Sequence, residues 1–238
     1  MDEMNLVKQQ DEKVSAIIVA AGKGSRMNAA KNKQYLMLAD KPVLAHTLEA
    51  FERTELISEI ILVIHPEDHK LFQECILPYG FQKITAVIDG GPDRQASVYN
   101  GLQRIGSDTE IIAVHDGARP LITPEIISDS VMTAVRHGAA CVGVPVKDTI
   151  KKVNTDRVIL DTPDRSLLWA IQTPQTFRRE ILLKAHEKAI SEGYRGTDDS
   201  VLAERLGISV RMVMGSYTNL KITTAEDLIF AEAFLKTR

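Results

Sequence analysis

Short apolar runs rich in β-branched residues alternate with segments of helical periodicity along most of this chain. That alternation admits few folds. "VSAIIVAA" (residues 14–21), "EIILVIHP" (59–66), "KITAVIDGG" (83–91), "EIIAVHDGARP" (110–120), "AACVGVPV" (139–146) and "SVRMVMG" (209–215) have the length and composition of buried strands. Between them, "PVLAHTLEAFERT" repeats apolar residues at Val43, Leu44, Leu48 and Phe51, which predicts a helix. "EDHKLFQECILPYG", "RQASVYNGLQRI", "RREILLKAHEKAISEG", "DDSVLAERLG" and "TAEDLIFAEAFLKTR" follow suit. In "ITPEIISDSVMTAVRHG", Pro124 near the start and Gly138 past the end punctuate another helix. Strands apolar on both faces and separated by helices predict an α/β fold: a doubly wound, mostly parallel sheet with helices on both faces.

One interval breaks the pattern. Residues 147–172, "KDTIKKVNTDRVILDTPDRSLLWAIQ", alternate charged and apolar positions around turn residues at Asn154, Asp156, Pro163 and Asp164. This predicts a protruding β-arm, carrying the only tryptophan, Trp169. An arm with little core of its own needs a partner surface, so a homodimer is expected. The 238 residues, 44% hydrophobic, suffice for one large domain, expected over residues 14–238 behind a polar tail at 1–13 without fixed structure.

In sheets of this kind ligands bind outside the carboxyl ends of the strands. Three unusual loops fall there, after Ala20, Asp89 and His115. "AAGKGSRM" (20–27) joins Gly22 and Gly24 to the cations Lys23 and Arg26, with Lys33 following in "NKQYL". Successive backbone N–H groups there suit a polyphosphate; a tight structural turn with solvated cations is the plainer alternative. No Gly-Lys-Ser/Thr follows, and Met27 stands where the dinucleotide fingerprint wants glycine, so neither familiar phosphate loop applies. In "HDGARP" (115–120), Asp116 suits a divalent cation and Arg119 a phosphate; an Asp–Arg pair bracing a turn is an equal reading. His115 fits packing better than base catalysis. "DGGPDRQAS" (89–97) offers Gly91, Arg94 and Ser97 to a base edge, or simply a helix capped by Asp93. Thr197 and Asp198 in "GTDDSVLAE" sit at a helix start, as a cap or beside a phosphate. In "YTNLKIT" (217–223), read as a short strand, Lys221 stands in an apolar context and needs an anionic partner.

Several classes are disfavoured. The net charge of −3 gives no footprint for nucleic acid. Cys75 and Cys141 lack metal-ligand spacing and read as buried free thiols. No signal peptide or membrane-length apolar run is evident, so a cytoplasmic location is expected. The six histidines are scattered, and no Ser–His–acid set stands out. Cations, glycines and one aspartate remain, an inventory for phosphoryl or nucleotidyl transfer by positioning and charge neutralisation.

"AAGKGSRM", "NKQYL", "HDGARP", "VKDTIK", "DRSLLWAIQTPQ", "GTDDSVLAE" and "NLKIT" together resemble the 2-C-methyl-D-erythritol 4-phosphate cytidylyltransferase family, over residues 14 to about 236. The resemblance implies a Rossmann-like nucleotidyltransferase fold and a homodimer built by the arm. It implies transfer of a cytidylyl group from CTP to methylerythritol phosphate, with Mg²⁺ and release of pyrophosphate, in non-mevalonate isoprenoid synthesis. By the family's pattern Ala20, Ala21, Gly22, Gly24, Gly91 and Ser97 line the nucleotide site. Arg26, Lys33 and Lys221 surround the triphosphate as catalytic cations, and Asp116 sits by the metal. Arg119, Thr149, Arg165, Thr197 and Asp198 bind the substrate methylerythritol phosphate, with Arg165 arriving from the partner's arm. One departure is Pro92, which removes an N–H beside Gly91 where the family commonly has an acid. Ribitol 5-phosphate cytidylyltransferase is the nearest alternative, since it shares the first loop and "HD-x-x-RP". "DRSLLWAIQTPQ" and "GTDDSVLAE" favour the erythritol enzyme. A non-catalytic nucleotide-binding protein on the same fold is the other alternative.

Overall fold

The computed structural model describes residues 12–22 and 32–237. Eleven strands occur among them: β1 (Lys13–Ala20), β2 (Met37–Leu38), β3 (Lys41–Pro42), β4 (Glu59–Ile64), β5 (Ile84–Asp89), β6 (Thr109–Asp116), β7 (Ala139–Pro145), β8 (Lys152–Val153), β9 (Ile159–Asp161), β10 (Trp169–Arg178) and β11 (Arg211–Met214). Seven helices are α1 (Val43–Arg53), α2 (His69–Cys75), α3 (Arg94–Leu102), α4 (Pro124–His137), α5 (Arg179–Ser191), α6 (Asp199–Glu204) and α7 (Ala225–Leu235). The central sheet runs β11-β7-β10-β6-β1-β4-β5. The pairs β1–β4, β1–β6, β4–β5 and β7–β11 are parallel, while β10 runs antiparallel to both its neighbours.

Side-chain alternation explains why both faces are covered. On β1, Ala16 and Ile18 pack with Leu44, Leu48 and Phe51 of α1 and Val131 of α4, while Ile17 faces Val98 and Leu102 of α3 and Leu182 of α5. All of these are buried to 2% exposure or less, so the six predicted strands and the helices between them form as the periodicity requires. Pro124 opens α4, where Thr123 accepts a hydrogen bond from Ile126 N, and Gly138 closes it at φ +86°.

The expected arm divides in two. A hairpin of β8 and β9 pairs only with itself, but from Trp169 the chain already belongs to the central sheet, with Trp169–Ile171 paired to Gly143–Pro145. The reason lies in "QTPQT". Its polar side chains are buried because they satisfy one another or the loops: Thr176 with Ser130 (2.6 Å), Thr173 with His115 (3.0 Å) and Gln175 with Asp198 (2.8 Å). Of the two cysteines, Cys141 is buried as expected, but Cys75 is only half-buried, at the end of α2.

Candidate active site

The order of strands reverses at β1, which has β4 and then β5 on one side and β6 on the other. A crevice at such a switch point is where open α/β sheets bind ligands. Here a cavity of about 580 Å³ opens at the carboxyl ends of β1, β5 and β6. Its walls include Ala20, Ala21 and Gly22 after β1, Gly91 and Pro92 after β5, Arg94 and Ser97 of α3, Asp116 of β6, and Lys33 and Lys221.

Each piece is placed by local chemistry. Gly90 donates its N–H to Ile64 O (2.7 Å), and a Cβ on Gly90 would collide with the Ala21 Cβ. Only glycine therefore lets the loops after β1 and β5 approach this closely. Gly117 N bonds Val19 O (2.8 Å) and ties the end of β6 to β1. Asp93 caps α3 through Ala96 N (2.8 Å), as read from the sequence. Ser97 lines the cavity, but its hydroxyl accepts from Gly91 N (3.0 Å) and donates to Asp93 O (2.8 Å). It braces the loop that carries Gly91.

The two lysines arrive by a common device. Asn32 donates to both Asp68 oxygens (2.7 Å each), and Gln34 donates to Ala20 O (2.5 Å). These amides pin the backbone on either side of Lys33, Asn32 to the turn after β4 and Gln34 to the end of β1. On the opposite flank, Asn219 donates to Gln172 and to Thr173 O (3.1 Å each), and Ile222 N bonds Ala118 O (2.8 Å). Lys221 is held between them. No strand forms over residues 217–223, contrary to the reading of "YTNLKIT"; buried amide contacts, and not a sheet ladder, hold this segment. Gln34, Asp68 and Asn219 escaped the sequence reading. Amides flanking each lysine were the signal available.

Asp116 is the electrostatic centre. Lys221 Nζ lies 2.7 Å from one carboxylate oxygen, with Arg119 Nε at 3.8 Å from the same atom, and Arg94 Nε lies 3.1 Å from the other. Burial alone pushes the Asp116 carboxyl up, but Arg94, Lys221 and Arg119 outweigh it and hold it well below the usual carboxylate range. Its N–H donates to Thr173 Oγ1 (3.1 Å). His115, fully buried against the Phe51 ring, is driven down to about 3 by desolvation, so it is a neutral packing residue.

A second cavity of about 310 Å³ adjoins the first, sharing Arg94, Asp116 and Lys221. Arg119, Gln172, Gln175, Thr197 and Asp198 complete its wall. Arg119 also donates to Asn219 O (2.8 Å), so the turn-bracing role foreseen for it is real. Asp198 caps α6 through Val201 N (3.0 Å), and Gln175 Oε1 takes the next two amides, from Asp199 (2.9 Å) and Ser200 (3.1 Å). The start of α6 is thus satisfied internally.

Thr149 and Arg165 are exposed and line neither cavity; Arg165 instead donates to Lys147 O (2.6 Å) at the root of the hairpin. Gly24 and Arg26 lie outside the described residues. Among the described residues no three His, Cys, Asp or Glu side chains cluster as a metal cage, and no helix is long and apolar enough to cross a membrane.

The model of one protein family, IspD: 2-C-methyl-D-erythritol 4-phosphate cytidylyltransferase, matches residues 14–237. The chain belongs to this cytidylyltransferase family. A family member from Caldanaerobacter subterraneus subsp. tengcongensis is 54% identical over 224 residues, covering 94% of this chain and 99% of the relative. One from Desulforamulus reducens is 51% identical, covering 94% and 97%. Among solved structures, the 4-diphosphocytidyl-2C-methyl-D-erythritol synthase of Anaerococcus prevotii superposes with a TM-score of 0.84 at 32% identity, covering 94% of this chain and 99% of that one. The cytidylyltransferase of Thermus thermophilus gives 0.77 at 30%, with coverage of 94% and 99%. The resemblance read from seven motifs and the family model therefore agree over nearly the whole chain. The α/β nucleotidyltransferase-like fold also agrees.

Proposed function

We propose that this chain transfers a cytidylyl group from CTP to 2-C-methyl-D-erythritol 4-phosphate, releasing pyrophosphate. Family membership at about half identity supports the reaction, and nothing favours the ribitol enzyme or a silent binder. The observation that carries the mechanism is the pair of adjoining cavities with Asp116, Arg94 and Lys221 in the partition between them. Two phosphorylated reactants can meet across that partition.

The larger cavity takes the nucleotide. Ala20, Ala21, Gly22 and Gly91 offer backbone to cytosine and ribose, with Ser97 holding Gly91 in place. A side chain at Gly22 would project into open space, so the backbone there is free for close approach. The triphosphate runs towards Lys33 and Lys221, joined by Gly24 and Arg26 from the first loop. The smaller cavity takes the acceptor molecule, with the Arg119 guanidinium towards its phosphate and Thr197 and Asp198 towards its hydroxyl groups, since a carboxylate can only accept hydrogen bonds. An acceptor phosphate oxygen attacks the α-phosphorus of CTP, the bond to the β-phosphate oxygen breaks, and pyrophosphate leaves with that electron pair. The nucleophile is already ionised, so no general base is needed, which fits the neutral, buried His115. Lys33, Lys221 and Arg26 neutralise charge on the equatorial oxygens, each worth about 3 kcal/mol in the transition state.

Asp116 also fits a divalent cation such as Mg²⁺. It is a hard oxygen donor lining both cavities, and Mg²⁺ commonly needs only one or two protein carboxylates when substrate phosphates supply the rest. When bound, the ion neutralises the triphosphate. Asp116 would then exchange Lys221 for the metal, freeing that ammonium for phosphate.

The protein works as a homodimer in this reading. Val153, Val158, Ile159, Leu160 and Leu167 of the arm are 49–79% exposed. A lone two-stranded hairpin is marginal in water, so a second copy is its natural cover. Arg165 is then delivered to the acceptor site of the second copy, and Thr149, at the root of the arm, travels with it. In this reading the enzyme works in the cytoplasm.

The test is turnover of CTP with methylerythritol phosphate against ribitol 5-phosphate, followed as pyrophosphate release. A preference of at least about tenfold in kcat/KM for the erythritol acceptor is expected. Equal rates, or preference for ribitol phosphate, would refute the assignment.

A further inference from the structure

Behind the partition a charged chain runs away from both cavities. Arg94, at its head, presents two edges: Nε to Asp116 Oδ1 (3.1 Å) and Nη1 to Asp199 Oδ2 (2.7 Å). The other Asp199 oxygen meets His186 Nε2 (3.1 Å), and the His186 ring stacks on Tyr99 of α3, with centroids 6.2 Å apart and 20° between planes. His186 is fully buried, Asp199 is 1% exposed, and neither lines a cavity. Gln175 fixes the backbone of Asp199 from a third side.

Stability does not explain this arrangement. Burying ions costs several kcal/mol each, and well-packed apolar residues commonly serve a core as well or better. Geometry suggests a different use. The nearby Lys221 pairs with Asp116, and its side chain is 37% exposed. It can leave for a phosphate while Arg94 and Arg119 still face Asp116. Arg94 has the same Asp116 on one side but a buried carboxylate on the other, so an arriving triphosphate cannot draw it away without stranding Asp199.

We propose that Asp199, braced by His186, is a positioning residue that holds Arg94 in the partition and thereby fixes the direction of the Asp116 carboxylate. Two of the three cations around one acid would thus divide the labour, with Arg94 staying and Lys221 moving. The inference rests on the reading of Asp116 as the metal-binding acid.

The experiment is calorimetric titration of the full chain with CTP, without and with Mg²⁺, alongside steady-state kinetics. Wild type is expected to bind CTP more tightly with Mg²⁺. Asp199→Asn removes the charge that balances Arg94, so Arg94 then competes with the metal for Asp116. The Mg²⁺-dependent gain should shrink about fivefold, with metal-free affinity within about twofold of wild type. Likewise kcat should fall about tenfold, with the acceptor KM within about threefold. Asp199→Glu should restore part of the gain. Ser130→Ala, which breaks a buried bond away from both cavities, should leave the gain intact. Should D199N not fold, His186→Leu, which removes only the brace, is expected to cut the gain about threefold, and His186→Gln to restore it. A wild-type Mg²⁺ gain that persists in D199N or His186→Leu would overturn the proposal alone. No Mg²⁺ gain in wild type would overturn both the proposal and the reading of Asp116.

Discussion

The cavity wall and the arm are opposite solutions to the same problem of placing a few side chains. At the wall, the charges are placed by anchored backbone and by one another: Lys33 between Asn32 and Gln34, Lys221 between Asn219 and Ile222, and the buried Asp116 among three cations. In the arm, apolar side chains from Val153 to Leu167 are exposed, and among the described residues the hairpin joins no other sheet. The wall is assembled from distant parts of one chain, whereas the arm exposes apolar surface for which a second copy is the proposed cover. The contrast teaches that precision inside the chain is obtained from buried hydrogen bonds, which the arm lacks.

The contrast breaks most visibly at the wall. Lys33→Ala and Lys221→Ala are each expected to lower kcat/KM about 10²-fold, as for loss of one charged donor. The fold should persist, because Lys221 is partly exposed and the anchoring amides remain. Pyrophosphate release together with circular dichroism checks both statements. A loss under about threefold would remove the lysine in question from the transition state.

The arm is tested by complementation. Leu160→Asp with Leu167→Asp should shift sedimentation from dimer to monomer and reduce turnover more than about tenfold. Mixing Lys221→Ala chains with Arg165→Ala chains should recover about a quarter of wild-type activity, because half the random dimers would each carry one intact site. Recovery absent after verified subunit exchange would return Arg165 to a structural role at the root of its own hairpin.

Gly90→Ala should have a smaller effect. The added methyl must displace the Ala21 methyl, which separates the loops after β1 and β5. An increase in the CTP KM of about tenfold and a stability loss of about 1–3 kcal/mol are expected, read from kinetics and urea unfolding.

The last effect concerns pH, and bears on stability alone. Desolvation holds His115 at about 3 in the folded protein against an ordinary value of 6.5. On acidification the unfolded chain therefore binds the proton first, and stability from this group, full above about 6.5, drains as pH falls towards 3. At pH 5 the loss is ~2 kcal/mol relative to pH 7. Urea unfolding at both pH values should show it, and His115→Asn should remove that slope. An unchanged slope in the variant would place the acid sensitivity elsewhere.

Much of this was legible in the sequence because it is local. Apolar runs, helix punctuation and the glycines that announce loops after Ala20, Asp89 and His115 are read from neighbouring residues, and Asp93 and Asp198 cap as their positions indicate. The unread parts depend on partners far along the chain. The polar segment Gln172–Thr176 becomes a buried strand only because its amides and hydroxyls find Asn219, His115 and Ser130. Arg94 gained its role from Asp199, 105 positions away, and no spacing rule connects them.

A crystal structure with CTP and Mg²⁺ bound tests the central claim most directly. Cytidine is expected against Ala20–Gly22 and Gly91, with the triphosphate contacted by Lys33 and by a Lys221 that has moved off Asp116. A triphosphate bound away from both lysines, or a Lys221 still paired to Asp116 with the nucleotide in place, would contradict it.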